Sequence, residues 1–167
     1  RLAKWSIGGS QERDRRGGTE NVPGIVGMGA AAKLAENWLA KDEIGEKRAM
    51  RDRFEQSILD RLPDTSINGA DAERMWNTSN IAFHKLESEA ILLSLSEKGV
   101  CASGGSACAS GSLEPSPVLL AMGIPEKEAH GSIRFSFSRE TTEEELTAAA
   151  DVIVEVIERM RAILSAV

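Results

Sequence analysis

The segment ASGGSACASGSLEPSPVLLAMG, Ala102 to Gly123, places a thiol, Cys108, among eleven opening residues that are all Ala, Ser, Gly or Cys. A thiol reacts as its thiolate and must reach its target. A stretch with almost no side-chain bulk lets the backbone move, stay wet and be approached closely. Those are the needs of a cysteine that visits a substrate and then leaves it. The competing reading is a small residue filling a tight turn. Pro115 and Pro117 stiffen the exit into a helical turn, so a flexible stretch is fixed at one end.

Two further residues are placed for chemistry. Arg134 sits within the alternating run GSIRFSF, opposite Ile133, Phe135 and Phe137. An arginine there either lies in solvent or meets a carboxylate or phosphate with its planar fork. Thr19 follows Gly17 and Gly18 and opens a helix. Its hydroxyl and the nearby amides suit a phosphate, or simply cap the helix. A zinc site from His84, Cys101, Cys108 and His130 has the right count, but the spacings lack any paired C-x-x-C or H-x-x-x-H element. The pair His84-Lys85 suggests an imine-forming lysine. However, Glu87 and Glu89 follow closely, and carboxylates favour the charged ammonium, the opposite of what an imine needs.

These residues must be positioned by short elements. Gly8 to Gly18 holds three arginines, two acids and four glycines, a loop composition. A helix capped by Thr19 or Asn21, with Pro23 in its first turn and Ile25, Met28, Ala32 and Ala35 at helical spacing, runs to about Ala40. A second carries Ile44, Ala49, Phe54, Ile58 and Leu62 and stops before Pro63. Ser66–Ala70 and Asn77–Lys85 read as short strands, Glu87–Gly99 as a helix ending on a glycine, and VCAS as a short strand entering the cysteine segment. The last helix opens with a capping box, Thr142 with Glu145, and carries Leu146, Ala149, Ile153, Val156, Ile157, Met160 and Ile163 on one stripe. The fold class expected is α+β, a small antiparallel sheet covered by helices.

The totals bound the function. The chain has 167 residues, a net charge of -6 and 28% charged residues, with a mean hydropathy of -0.23. That length buries a core without staples. The acidic balance gives no footprint for nucleic acid, and no apolar run reaches the roughly 18 residues of a membrane span. Two cysteines form no secreted disulfide framework, so the chain reads as cytoplasmic. It starts without Met, on a strand-like stretch from Leu2 to Ile7 with nothing before it to pair with. A piece of a longer protein is the expectation.

Three stretches then match one family in order and spacing. SGGSACASGSLEPSPVL (Ser103 to Leu119) resembles the active-site cysteine loop of NifS/IscS-like cysteine desulfurases, of the form SSGSACTSGSLEPSHVL. GGSQERDRRGGTEN resembles their GGGQERGxRxGTxN segment, and HGSIRFSFSRETTEEEL their HSSIRFSLGRxTTEEEI segment. The resemblance covers essentially the whole chain.

The resemblance implies the C-terminal portion of a fold-type I, pyridoxal-phosphate-dependent homodimer that converts L-cysteine to L-alanine. The sulfur is captured as a persulfide for iron–sulfur cluster assembly and passed to a scaffold or other acceptor protein. Under it, Cys108 matches the persulfide cysteine, Arg134 the arginine on the substrate carboxylate, and Thr19 the threonine reaching the cofactor phosphate of the neighbouring subunit. Residues 1–22 would end the large cofactor domain, 23–62 form connecting helices, and 63–167 the small domain with the cysteine loop at about 102–117.

The sequence departs from the pattern at Gly104, where Ser is usual, at Ala109 for Thr, at Pro117 for His or Tyr, and at Ser10 for Gly. GTEN leans toward the nitrogen-fixation type. The family's cofactor lysine, in a context resembling SxHKxxGPxG, is absent: none of the seven lysines has it. The chain alone is therefore expected to be inactive. A non-catalytic persulfide carrier or interaction domain is the alternative, though it would need neither Arg134 nor Thr19.

Overall fold

Helices and short strands follow one another as the apolar spacing predicts, and a computed structural model describes residues 3–41, 43–105 and 115–166. The chain forms two compact units, Arg1–Glu43 and Ile44–Val167.

The first unit is a glycine-rich loop followed by one helix. In the loop the Gly17 amide donates to the Ser6 carbonyl at 2.7 Å. A Cβ on Gly17 would lie 2.8 Å from the Gly8 nitrogen, so the two backbones touch and only glycine fits. Glu12, Arg13 and Asp14 take φ values of 53°, 58° and 65°, three successive residues in the left-handed region. The Asp14 carboxylate accepts from Lys4 Nζ at 2.6 Å and Ser10 Oγ at 2.8 Å. The Lys4 hydrogen bond, then Ser10, holds its carboxyl below the usual range.

Helix α1, Val22–Leu39, starts at Asn21, whose side chain accepts from the Gly24 amide at 3.1 Å, with proline in the first turn. Of the two expected caps, Asn21 is the one used. None of its residues is buried within the chain. The strand-like stretch expected at Leu2–Ile7 is not a strand over its described residues, for no partner strand offers it a ladder.

The second unit packs helices on one face of a sheet. Helix α2, Ile44–Arg61, leads to strands β1, Thr65–Ile67, and β2, Thr78–Phe83. Helix α3, Ser88–Glu97, ends before Gly99, whose φ of 83° is the left-handed turn expected after a helix. Short helices α4, Pro117–Ala121, and α5, Glu126–His130, precede strand β3, Ser132–Ser136, and the chain closes on α6, Glu143–Ser165. The order β1-β2-β3 is antiparallel throughout, with Ile67 opposite Ile81 and Ile81 opposite Ile133. The VCAS strand reduces to a single bridge, Ser103 with Arg134.

The core lies between the sheet and α2, α3 and α6. Phe54, Ile58, Ile81, Phe83, Ile91, Leu95, Ile133, Phe135, Ile153 and Ile157 are buried there. Phe54 meets Phe135 and Phe137 edge to face, with centroids 5.6 and 5.3 Å apart. The capping box of α6 is present in both directions: Glu145 N donates to Thr142 Oγ1 at 3.2 Å, and Thr142 N to Glu145 Oε2 at 2.9 Å. Ile163 departs from the expected stripe, lying exposed in the last turn beyond the packed length of the helix.

Two charged residues, Arg51 and Glu55, are buried beside this core. Glu55 receives both Arg74 nitrogens, at 2.6 and 2.9 Å. Arg51 bonds Asp52 and donates to the Met75 carbonyl at 2.5 Å. The pairs fasten the segment between β1 and β2 to α2.

Candidate active site

The polar face of the sheet follows from its alternation. Ile133 and Phe135 point into the core, so Ser132, Arg134 and Ser136 share the opposite face. Asn80 is the register partner of Arg134 and joins them there. Asn68, in the turn after β1, donates to Asn80 Oδ1 at 2.6 Å and to Ser132 Oγ at 2.9 Å. Ser132 in turn donates to the Glu128 carbonyl of α5 at 3.0 Å. Gly131 lets α5 approach β2: a Cβ there would collide with the Phe83 and Leu86 carbonyls. The Asn68–Asn80–Ser132 chain satisfies the polar groups beside Arg134 without using it.

Arg134 is exposed, and no described residue hydrogen-bonds or ion-pairs with its guanidinium. Its backbone is fully engaged: Ser103 N donates to Arg134 O at 3.0 Å, and Arg134 N to Ser103 O at 2.6 Å. The root of the cysteine segment is thus tied to the strand residue that presents the exposed fork. Cys108 itself lies outside the described residues. Cys101, two residues before Ser103, is exposed and unpaired.

Thr19 lies in the other unit, exposed, after Gly18 with its φ of 93°. Because Asn21 caps α1, the Thr19 hydroxyl is left without a hydrogen bond among the described residues. Lys85, at φ 67°, reaches Asp64 Oδ2 at 3.1 Å rather than Glu87 or Glu89. Its hydrogen bond holds the Asp64 carboxyl below the usual range. His84 Nε2 lies 2.9 Å from Ser66 Oγ.

The sequence reading singled out Arg134 but missed its neighbours Asn68, Asn80 and Ser132, and the anchoring Ser103. The alternation of β2 against β3 would have put Asn80 beside Arg134. Nothing local signals Asn68, which arrives through a turn.

The family model of aminotransferase class V matches residues 4–148. The chain belongs to that family. Among curated members of the class V family, it is 55% identical over 157 residues to a cysteine desulfurase of Nostoc sp., covering 94% of this chain and 39% of that protein. It is 48% identical over 154 residues to the cysteine desulfurase NifS of Azotobacter vinelandii, covering 92% and 38%. The X-ray structure of a NifS-like protein from Rickettsia africae superposes with a TM-score of 0.78 at 28% identity, over 95% of this chain and 41% of that one. The chain therefore spans about two-fifths of the length of the relatives it matches. Its α+β architecture is that of the NifS-like class V proteins.

Members of the class V family use pyridoxal phosphate. The residues present fit the phosphate end of that group: the Thr19 hydroxyl is uncommitted beside a left-handed glycine at a helix entrance. Lys4, Lys33, Lys41, Lys85 and Lys98 each pair with a carboxylate. Lys47 donates to the Thr141 carbonyl, and Lys127 is exposed on the short α5.

Proposed function

We propose that this chain is the sulfur-accepting portion of a cysteine desulfurase, with Cys108 taking the sulfur of L-cysteine and passing it to an iron–sulfur scaffold or other acceptor protein. The observation that carries this reading is the bridge between Ser103 and Arg134. It joins the start of the bulk-free cysteine segment to an exposed arginine whose fork has no partner among the described residues and suits a carboxylate.

Arg134 binds the substrate carboxylate and orients the molecule. Cys108 attacks the substrate sulfur as a thiolate. A sulfur–sulfur bond forms and the carbon–sulfur bond breaks, with its electron pair staying on carbon, which takes up a proton. L-cysteine and the enzyme thiol become L-alanine and an enzyme persulfide, so atoms and electrons balance. Pyridoxal phosphate, when bound, supplies the electron sink that labilises the substrate for this cleavage. Thr19 would hold the phosphate group, in the homodimer that of the neighbouring subunit, and the amine partner would come from outside these residues.

Residues 1–22 then belong to the end of the cofactor domain, 23–62 to connecting helices and 63–167 to the small domain. The setting is cytoplasmic, and the GTEN motif favours a nitrogen-fixation role. Among the described residues no helix is long and apolar enough to cross a membrane.

The test is alanine release from L-cysteine with added pyridoxal phosphate. The 167-residue chain alone gives none. With a lysine-bearing cofactor domain supplied, activity appears, and Cys108→Ser abolishes persulfide formation while cofactor binding persists. Robust turnover by the chain alone would overturn the assignment.

A further inference from the structure

We propose that Ser103 is a positioning residue, fastening the root of the Cys108 segment to the residue that holds the substrate carboxylate. This rests on the roles given above to Cys108 and Arg134. Three successive residues are held in three different ways. The backbone of Ser103 exchanges both hydrogen bonds with Arg134, at 3.0 and 2.6 Å. Its hydroxyl donates to the Gly105 carbonyl at 2.9 Å and lies 3.4 Å from the Gly105 nitrogen, curling the chain back on itself. Between them Gly104 lies against α3, where a Cβ would stand 3.3 Å from Ser88 Oγ and 3.4 Å from Leu92 Cδ1. A serine at that position, usual in the pattern this sequence resembles, would require the Ser88 side chain to give by a few tenths of an ångström. Glycine lets the root sit closer to α3.

Covalent reach makes this root the controlling end. Cys108 is three residues beyond Gly105, and three residues of fully extended chain span at most about 11 Å. Seven residues separate it from Pro115, an allowance of about 25 Å that constrains little. The distance a thiol can travel is therefore measured from Ser103, and Ser103 is bonded to Arg134. Substrate anchor and nucleophile share one origin.

Any residue could supply the two backbone bonds, so what serine adds is the hydroxyl that directs the chain onward. Ser103→Ala removes it and Ser103→Thr keeps it. In the purified chain, Ser103→Ala speeds amide exchange at Gly105 about fivefold, the equivalent of one net hydrogen bond, and Ser103→Thr restores the slow rate. Once a cofactor domain is supplied, Ser103→Ala slows persulfide formation on Cys108 by a similar factor while L-cysteine affinity stays unchanged, because Arg134 keeps its backbone partners. Exchange unaffected by alanine, or a threonine variant as fast as alanine, overturns the proposal. So does a loss of L-cysteine affinity in step with the rate, which would mark a general structural role. Absence of persulfide on wild-type Cys108 would instead sink the functional reading, with the exchange data still deciding the anchor.

Discussion

The two faces of the three-stranded sheet differ in what they ask of a side chain. On one, Ile81, Phe83, Ile133 and Phe135 are covered by α2, α3 and α6, and each is fixed by its neighbours. On the other, Asn80, Ser132 and Arg134 alternate with them in the same strands. There Asn68 ties Asn80 to Ser132, and the Arg134 guanidinium has no partner among the described residues. One backbone thus presents a packed face that holds it rigid and a polar face that the rigidity aims. Substitutions on the first face should change stability, and those on the second should change binding.

The largest expected effect is on the packed face. Phe54→Ala removes a ring that meets Phe135 and Phe137 edge to face, and should cost about 3–5 kcal/mol in denaturant unfolding. A loss under 1 kcal/mol would mean this core is not close-packed. Next comes the charged group at its margin. Glu55→Ala leaves Arg74 without its carboxylate beside a mostly buried Arg51, and should destabilise by about 3 kcal/mol. Replacing Glu55 and Arg74 together by apolar residues should cost less than the single change.

On the polar face the sign of the comparison reverses. Arg134→Lys loses the planar fork but keeps the strand. It should weaken L-cysteine binding about tenfold in titrations with a supplied cofactor domain, with the unfolding midpoint unmoved. A large stability loss would show that Arg134 belongs to the scaffold. The smallest effect probes an exception on the packed face. Ser79 is fully buried and its hydroxyl has no hydrogen-bond partner among the described residues. Ser79→Ala should therefore stabilise the protein by about 1 kcal/mol in the same measurement.

The packed face was largely legible in the sequence because it is written in local spacing. Period-two alternation put Ile133 and Phe135 on one side. The 3.6-residue recurrence gave α6, with Thr142 and Glu145 marking its start. Local spacing has limits of its own. Ile163 follows the periodicity of α6 but lies past the end of what the sheet and α2 can cover. Ile25 and Met28 recur correctly along α1 and stay exposed within this chain. Amphipathic spacing reports a side that packs, not the surface it packs on.

The polar face was half legible. Arg134 stood out as a cation among apolar neighbours, and Cys108 by the lack of bulk around it. Asn68 and Ser103 did not, because their roles arise from long-range pairing. Asn68 reaches Ser132 across 64 positions of sequence, and Ser103 meets Arg134 through a bridge too short to carry a strand pattern. The expected VCAS strand failed for that reason: one residue pairs, and Gly104 and Gly105 then turn the chain away. The partner of Lys85 was not legible either: it is Asp64, brought near by the β1–β2 pairing rather than by the adjacent glutamates.

The most direct measurement is peptide mapping by mass spectrometry after incubating the chain, a supplied cofactor domain and L-cysteine. The account predicts one extra sulfur atom on the peptide carrying Cys108, lost in Cys108→Ser and unaffected by Cys101→Ser. Persulfide that persists in Cys108→Ser, or maps to Cys101, would contradict it.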